Sequence, residues 1–263
     1  MTNILDRIIE YKRVEVAERK ATTPVMVLEG KEGFGRQPLS LRAFLTDPGK
    51  TGIIAEFKRR SPSKGVINDR VTVEEVTQGY AAAGASCLSV LTDTPSFGGS
   101  SEDLMAARVN AIPILRKDFI VDEYQIVEAR AIGADVILLI AACLTPVEVR
   151  RLAGFARSLE LEVLLEIHGE DELAHICDAT PIVGVNNRDL KTFTVDVDRS
   201  IRLSKKIPKD KLLVAESGID NVETIRQMQD AGFHGFLIGE RFMKEENPAI
   251  AFASFVQQLK MLG

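Results

Sequence analysis

Positive charge is in short supply: the 263-residue chain sets 33 Lys and Arg against 38 Asp and Glu, for a formal net charge of −5 and an isoelectric point near 5.4. Such a balance offers no general field for recruiting nucleic acid or an anionic membrane, so an anionic ligand has to meet local positive charge. Long apolar runs are missing too; the longest, 136–144, is well short of the roughly 20 residues that a membrane-spanning helix needs. The opening MTNILDRIIEYKRVEVAERK interleaves acids and bases and does not read as a secretory leader. Cysteine is scarce. Cys87, Cys143 and Cys177 are odd in number, far apart and set among apolar residues, which suits neither a disulfide framework nor a metal site and leads us to expect a reducing cytoplasm. His168, His175 and His234 lack metal-ligand spacing and read as surface or packing residues. What remains, 45% hydrophobic and 27% charged, is the composition of an ordinary globular protein.

From Ile53 onward short, almost continuously apolar runs alternate with stretches of helical period, the pattern of a parallel sheet buried on both faces. Strands are predicted over 53–57, 86–91, 112–116, 135–140, 162–166, 182–185, 212–215 and 235–238. Helices are predicted between them, over 73–83, 102–110, 123–132, 146–159, 170–179 and 222–231, with 250–261 last. Eight βα units in series favour a closed α/β barrel, a single (β/α)8 TIM barrel over 51–263, rather than a doubly wound sheet. AAAGASCLSVL, ARAIGADVILLI and MQDAGFHGFLIG echo one another, and Gly84, Gly133 and Gly232 read as helix-stopping glycines. Residues 1–50 carry an amphipathic stretch and the short segment 39–45; helices packed on the outside of the barrel or over one mouth are expected there, with no separate domain.

In such a barrel the chemistry lies where strands end. AEFKRRSPSKG places Glu56 and Lys58 two apart, on one face of a strand, with Phe57 facing away. Lys117 ends ILRK, Glu166 ends VLLE, and GVNNRDL offers Asn186 and Arg188 at the same two-residue spacing. Burial lowers a lysine's pKa or raises a glutamate's, which is what acid–base work at neutral pH requires. Gly218 and Gly239, just after the last two strands, expose backbone N–H groups ahead of helix starts, as phosphate cradles do, and Ser217 adds a hydroxyl. Singly, each residue also reads as a solvated charge or a structural ion pair; five or six strand ends so equipped together do not. RRSPSK is too short and too poor in aromatics for a nucleic-acid patch, which leaves the phosphate of a small metabolite as the better partner.

IIAEFKRRSPSKG, SVLTDTPSFGGS, PILRKDFIVDEYQI, GVNNRDLKTF, VAESGI and LIGERFM together resemble the indole-3-glycerol-phosphate synthase family, in its order and approximate spacing across essentially the whole chain. Phe57, often aliphatic in that family, and the IHGEDEL run after Glu166 depart from its pattern without removing a catalytic residue. The resemblance implies a cytoplasmic enzyme of tryptophan biosynthesis, without cofactor or metal. It would close the pyrrole ring of 1-(2-carboxyphenylamino)-1-deoxyribulose 5-phosphate, releasing CO2 and water. On that resemblance Lys117 is the general acid at the ketone oxygen, Glu166 serves the dehydration as acid or base, and Glu56 positions or shares protons. Lys58 meets the substrate carboxylate, while Asn186 and Arg188 orient hydroxyls and the charged ring substituent. Ser61, Ser217, Gly218, Gly239 and the backbone of Glu240 hold phosphate, and Phe97 and Phe119 line the aromatic pocket. Association with other enzymes of the pathway is a further expectation. The competing readings are a Schiff-base aldolase using Lys117, a sugar-phosphate isomerase, and a non-catalytic barrel that binds a phosphorylated metabolite.

Overall fold

The structure is a computed structural model and describes residues 4–62, 64–189 and 194–261. Eight parallel strands form its centre: β1 (Ile53–Phe57), β2 (Cys87–Leu91), β3 (Ile114–Lys117), β4 (Val136–Ile140), β5 (Glu162–Ile167), β6 (Ile182–Asn186), β7 (Leu212–Glu216) and β8 (Phe233–Ile238). Each pairs with the next and β1 pairs with both β2 and β8, so the sheet closes on itself as a (β/α)8 barrel. The apolar runs are continuous because both faces are buried. Ile54, Cys87, Leu115, Leu138, Leu164 and Val214 fill the interior, whereas Ile53, Ala55, Phe57, Ile114 and Ile137 pack outward under the helices. Phe57 thus points away from Glu56, as the two-residue period requires.

The N-terminal segment forms α1 (Ile4–Thr22), α2 (Val25–Glu29), α3 (Glu32–Gly35) and α4 (Leu41–Thr46). Around the barrel run α5 (Val73–Ala82), α6 (Thr94–Phe97), α7 (Ser101–Ala107), α8 (Glu123–Ala131), α9 (Pro146–Ser158), α10 (Val197–Ser204), α11 (Val222–Asp230), α12 (Glu240–Met243) and α13 (Pro248–Met261). Their starts are chemically marked: Thr72 caps α5, Asn221 caps α11, and Asp122 and Thr145 complete capping boxes at α8 and α9. Their ends are marked by Gly84, Gly133 and Gly232 at φ of +100°, +89° and +93°, a conformation that favours glycine.

Several boundaries differ from the sequence reading, two of them for clear local reasons. β3 begins at Ile114, not at 112, because Pro113 has no N–H to give a ladder; at its other end Lys117 pairs in register with Leu91 and is the last residue of the strand. The segment predicted as a helix over 170–179 is a 3-10 turn, Glu170–His175. His175 Nε2 lies 2.8 Å from the Leu144 carbonyl oxygen, and the Cys177 N–H donates to Thr180 Oγ1 at 2.9 Å, so the chain is tied down before an α-helix can propagate.

The N-terminal helices close the two ends of the barrel differently. Leu41 and Leu45 of α4 join the inner apolar cluster where the strands begin. There Asp135, fully buried, pairs with Arg36 and with Arg108 at 2.5 Å, and accepts the N–H groups of Leu39 and Ile114, each at 2.7 Å. At the opposite end α1 is held by Lys12, a fully buried lysine. Its Nζ sits 2.8 Å from Asp93, 3.0 Å from Asp118 and 2.9 Å from Glu15. Asp93 and Asp118 follow β2 and β3, so one side chain of α1 ties together two of the loops at the carboxyl ends of the strands.

Candidate active site

A cavity of about 330 Å³ opens at the carboxyl ends of the strands. All thirteen residues singled out in the sequence line it: Glu56, Lys58, Ser61, Phe97, Lys117, Phe119, Glu166, Asn186, Arg188, Ser217, Gly218, Gly239 and Glu240. Ile4, Leu5 and Ile8 of α1 form part of its wall, so this helix covers the mouth.

The strand period explains the grouping. On β1 the inward sequence is Ile54, Glu56, Lys58; on β6 it is Ile182, Gly184, Asn186, and Arg188 follows at the same spacing. Lys58 Nζ contacts Glu56 Oε1 at 2.7 Å, and Ser89 Oγ lies 3.4 Å from Glu56 Oε2. Across the barrel Lys117 Nζ approaches Glu166 Oε2 at 3.5 Å, while Asn186 Nδ2 donates to Glu166 Oε1 at 3.0 Å. Asn186 Oδ1 in turn accepts the Arg188 N–H at 3.0 Å, which fixes the amide orientation. Each lysine therefore faces its own carboxylate.

Two groups at the site escaped the sequence reading. Glu216 is the last residue of β7, 2% exposed, and lines the cavity. It leans toward β6 into the space left by Gly184; a Cβ there would stand 2.1 Å from Glu216 Oε1. His168, read as a surface or packing residue, instead lies behind Glu166, with Nε2 3.1 Å from Glu166 Oε1. The spacing from Glu166 to His168 repeats the one that flagged Glu56 with Lys58, and was the available signal.

The expected ionisation is reversed at the two central groups. Burial alone would push the Lys117 ammonium down, but Glu166, Glu216 and Glu56 outweigh it and hold the pKa above the usual lysine value. Burial would likewise raise Glu166, but Lys117 and His168 hold its carboxyl well below the usual range. The raised carboxyl is Glu216, pushed up to about 8 by burial and by the neighbouring Glu166. At neutral pH the cluster thus contains a charged lysine, a carboxylate and a neutral carboxylic acid, the divergence that separates acid from base within one site.

On the other side of the cavity the backbone is unusual. Ser217 and Gly218 are consecutive residues with φ of +68° and +67°, and for serine that left-handed conformation is strained. Asn187 Nδ2 donates to the Ser217 carbonyl at 2.8 Å and holds the turn from beneath. Gly239 precedes α12 and approaches Glu56 so closely that a Cβ would lie 2.6 Å from Oε1. Ser61 Oγ is buried with no hydrogen-bond partner among the described residues. The Glu240 carboxylate is drawn toward Lys64 at 3.7 Å and Arg188 at 3.8 Å. Phe97 and Phe119 stand with ring centroids 6.2 Å apart.

A closed barrel with charged acid–base groups gathered at the carboxyl ends of its strands defines a (β/α)8-barrel enzyme. The family described as indole-3-glycerol phosphate synthase matches residues 5–255, and the chain belongs to that family. Relatives carrying that name include proteins of Bacteroides thetaiotaomicron, 47% identical over 99% of this chain and 100% of that one, and of Polaromonas sp., 45% identical over 96% and 98%. A third, from Acinetobacter baumannii, is 42% identical over 97% of this chain and 96% of its own. Among solved structures, thiamine phosphate pyrophosphorylase from Pyrococcus furiosus matches with a TM-score of 0.60 at 15% identity, over 85% of this chain and 99% of that one. KGPDC from Streptococcus mutans matches at 0.58 and 15%, over 80% and 97%. At such identity these two bear on the fold alone.

Proposed function

We infer that this barrel is an indole-3-glycerol phosphate synthase, a carboxy-lyase of tryptophan biosynthesis. It converts 1-(2-carboxyphenylamino)-1-deoxyribulose 5-phosphate into indole-3-glycerol phosphate, CO2 and water. The observation that carries the assignment of roles is the Lys117, Glu166, Asn186 and Glu216 cluster facing one cavity. Ring closure needs a proton at the ketone oxygen as the ring carbon bearing the carboxylate attacks the ketone carbon. Lys117, held cationic by the Glu166 and Glu56 carboxylates, is the donor. Loss of CO2 then returns the bonding electrons to the ring and restores its aromaticity. Dehydration removes a proton from the methylene carbon beside nitrogen and expels the former ketone oxygen as water. Glu166, ionised, is the base for that proton, and Glu216, neutral, is the acid for the leaving hydroxyl.

Lys58 meets the substrate carboxylate until CO2 departs, with Glu56 keeping its ammonium in place. Asn186 and Arg188 orient the hydroxyls and the ring substituent. Phe97 and Phe119 line the pocket for the aromatic ring, a role that their adjoining places on the cavity wall support. Phosphate is held by Ser61 Oγ, the Ser217–Gly218 turn, Gly239 and the backbone N–H of Glu240. The unpartnered Ser61 hydroxyl and the strained turn support this, and Lys64 and Arg188 draw the Glu240 carboxylate aside. The 1–50 extension belongs to the catalytic unit because α1 walls the pocket. The three cysteines are free thiols, which supports a reducing, cytoplasmic setting.

The test is direct: purified protein and the carboxyphenylamino-deoxyribulose phosphate, with no added metal or cofactor, should produce indole fluorescence. Lys117→Ala should lower kcat by about 10²–10⁴, the usual contribution of a general acid. Binding of the substrate without turnover by the wild type would refute the assignment in favour of a non-catalytic metabolite-binding barrel.

A further inference from the structure

The Glu166 carboxylate is gripped unevenly. Oε1 accepts the Asn186 Nδ2 hydrogen bond at 3.0 Å and stands in ion-pair contact with His168 Nε2 at 3.1 Å, which leaves Oε2 to Lys117 at 3.5 Å. His168 does not line the cavity, so whatever it does for catalysis it does through Glu166. Its other face is held as well. Nδ1 lies 3.5 Å from Glu172 Oε2, and the His168 backbone N–H donates to the same oxygen at 2.5 Å. Glu172 sits in the Glu170–His175 turn, where its own carbonyl oxygen lies 3.0 Å from His175 Nδ1 and His175 Nε2 reaches the Leu144 carbonyl oxygen. The 3-10 winding of that segment thus has a visible outcome: it brings a second carboxylate behind the imidazole.

We propose that His168, clamped by Glu172, is a positioning residue that keeps Glu166 an anion with Oε2 toward Lys117, so that the one proton of the Glu166 and Glu216 carboxyl pair resides on Glu216. This deepens the proposed reaction and rests on it for its catalytic meaning, though not for its structural test. A ring placed between two carboxylates is an imidazolium at neutral pH, and the His168 pKa is accordingly pushed up to about 10 despite burial. The groups facing it are Glu166 from β5 and Glu172 from the 3-10 turn. Behind Glu166 stand Lys117 from β3, Asn186 from β6 and Glu216 from β7. Cys143, after β4, feels Glu166, Glu172 and Asp6 of α1. Two neighbouring carboxyls that feel one another do not both ionise readily, and a fixed cation beside one of them decides which keeps the proton. That selection keeps the base ionised and the acid charged with its proton at the same pH.

The measurement is a 13C-carboxyl NMR titration of the full-length protein labelled at glutamate, with signals assigned through Glu166→Gln and Glu216→Gln. In His168→Gln, which removes the charge, the Glu166 midpoint should rise by at least one pH unit, a tenfold change in proton affinity, and the Glu216 midpoint should fall. Glu172→Gln should move both in the same directions by less, and it decides the question alone if His168→Gln does not fold. The acidic limb of the kcat profile should follow the Glu166 midpoint while KM changes little. Unmoved Glu166 and Glu216 titrations in a folded variant would overturn the proposal, since a merely structural histidine would leave them in place. Shifted titrations in a protein that makes no indole product would uphold the clamp and refute the reaction instead.

Discussion

Replacing Lys12 by methionine tests whether α1 is part of the catalytic unit. The substitution keeps the bulk of the side chain and deletes an ammonium with no exposure, leaving Asp93 and Asp118, both fully buried, without their shared cation. Asp118 retains Arg116 at 3.2 Å and Thr92 Oγ1 at 2.6 Å. Asp93 retains only hydrogen-bond donors, the Tyr11 hydroxyl at 2.6 Å and the Ser96 N–H at 2.9 Å. Removing one partner from a buried pair costs about 3–5 kcal/mol, and for a chain of this size each kcal/mol is worth about 2–4 °C, so Tm should fall by about 6–20 °C. The effect should reach the pocket, because Asp93 caps the helix that ends in Phe97 and Asp118 Oδ1 accepts the Phe119 N–H at 2.8 Å. KM for the substrate should therefore rise in the folded variant more than kcat falls. Thermal unfolding by circular dichroism reads the first effect and steady-state fluorescence the second; the chain has no tryptophan, so product indole is seen without an indole background from the protein. The control is Lys12→Met with Asp93→Asn, which removes the stranded charge and should regain part of the lost stability. A Tm loss below about 2 °C in the single variant, or a double variant no more stable than the single, would refute the electrostatic reasoning.

Glu216→Gln should lower kcat and abolish the alkaline limb near pH 8 in the pH profile of turnover, because the wild-type acid is lost as pH rises through its raised value of about 8. The same raised carboxyl favours the folded state only below the ordinary glutamate range, and this stability declines as pH rises toward 8; urea titrations at pH 5 and 8 should show a smaller difference in the Gln variant. Gly184→Ala should reduce turnover at least tenfold with the fold intact by circular dichroism, since its Cβ would occupy the place of Glu216 Oε1. Asp135→Asn, at the far end of the barrel, should do the opposite. It removes the charge of a fully buried carboxylate from its part-exposed partners Arg36 and Arg108, costing about 3 kcal/mol in denaturant unfolding, while kcat of the folded protein stays near that of the wild type.

The barrel was legible in the sequence because a strand buried on both faces cannot hide: Val136–Ile140 is apolar at every position and its counterparts are mostly so. Glu56 with Lys58 and Asn186 with Arg188 were legible because a two-residue spacing places side chains on one face without any knowledge of the fold. Glu216 was not, since VAESGI has only a glycine two residues on, and its place depends on Gly184 in a neighbouring strand. His168 had the right spacing, but its meaning lies in Glu172, brought close by a turn that helix propensity reads as a helix. The ionisation pattern was inverted for a similar reason: burial is a local property, and the charges that overrule it at Lys117 arrive from other strands, as does the Lys117 charge that acts with His168 on Glu166. The pairing of α1 with Asp93 and Asp118 through Lys12 spans more than eighty residues of sequence and leaves no local mark.

The inner apolar layer gives the barrel a direction of traffic. Ile54, Leu115, Leu138, Leu164 and Val214 fill the space beneath the carboxyl cluster, and Leu41 and Leu45 stopper it from below. A reaction that takes in one molecule and discharges three then uses, among the described residues, the doorway on the side where Ile4, Leu5 and Ile8 stand. CO2 and water have to slip past a phosphate-anchored intermediate that is still in place, and the indole product leaves by the route its precursor entered. Everything that enters or leaves accordingly passes the apolar face of the first helix.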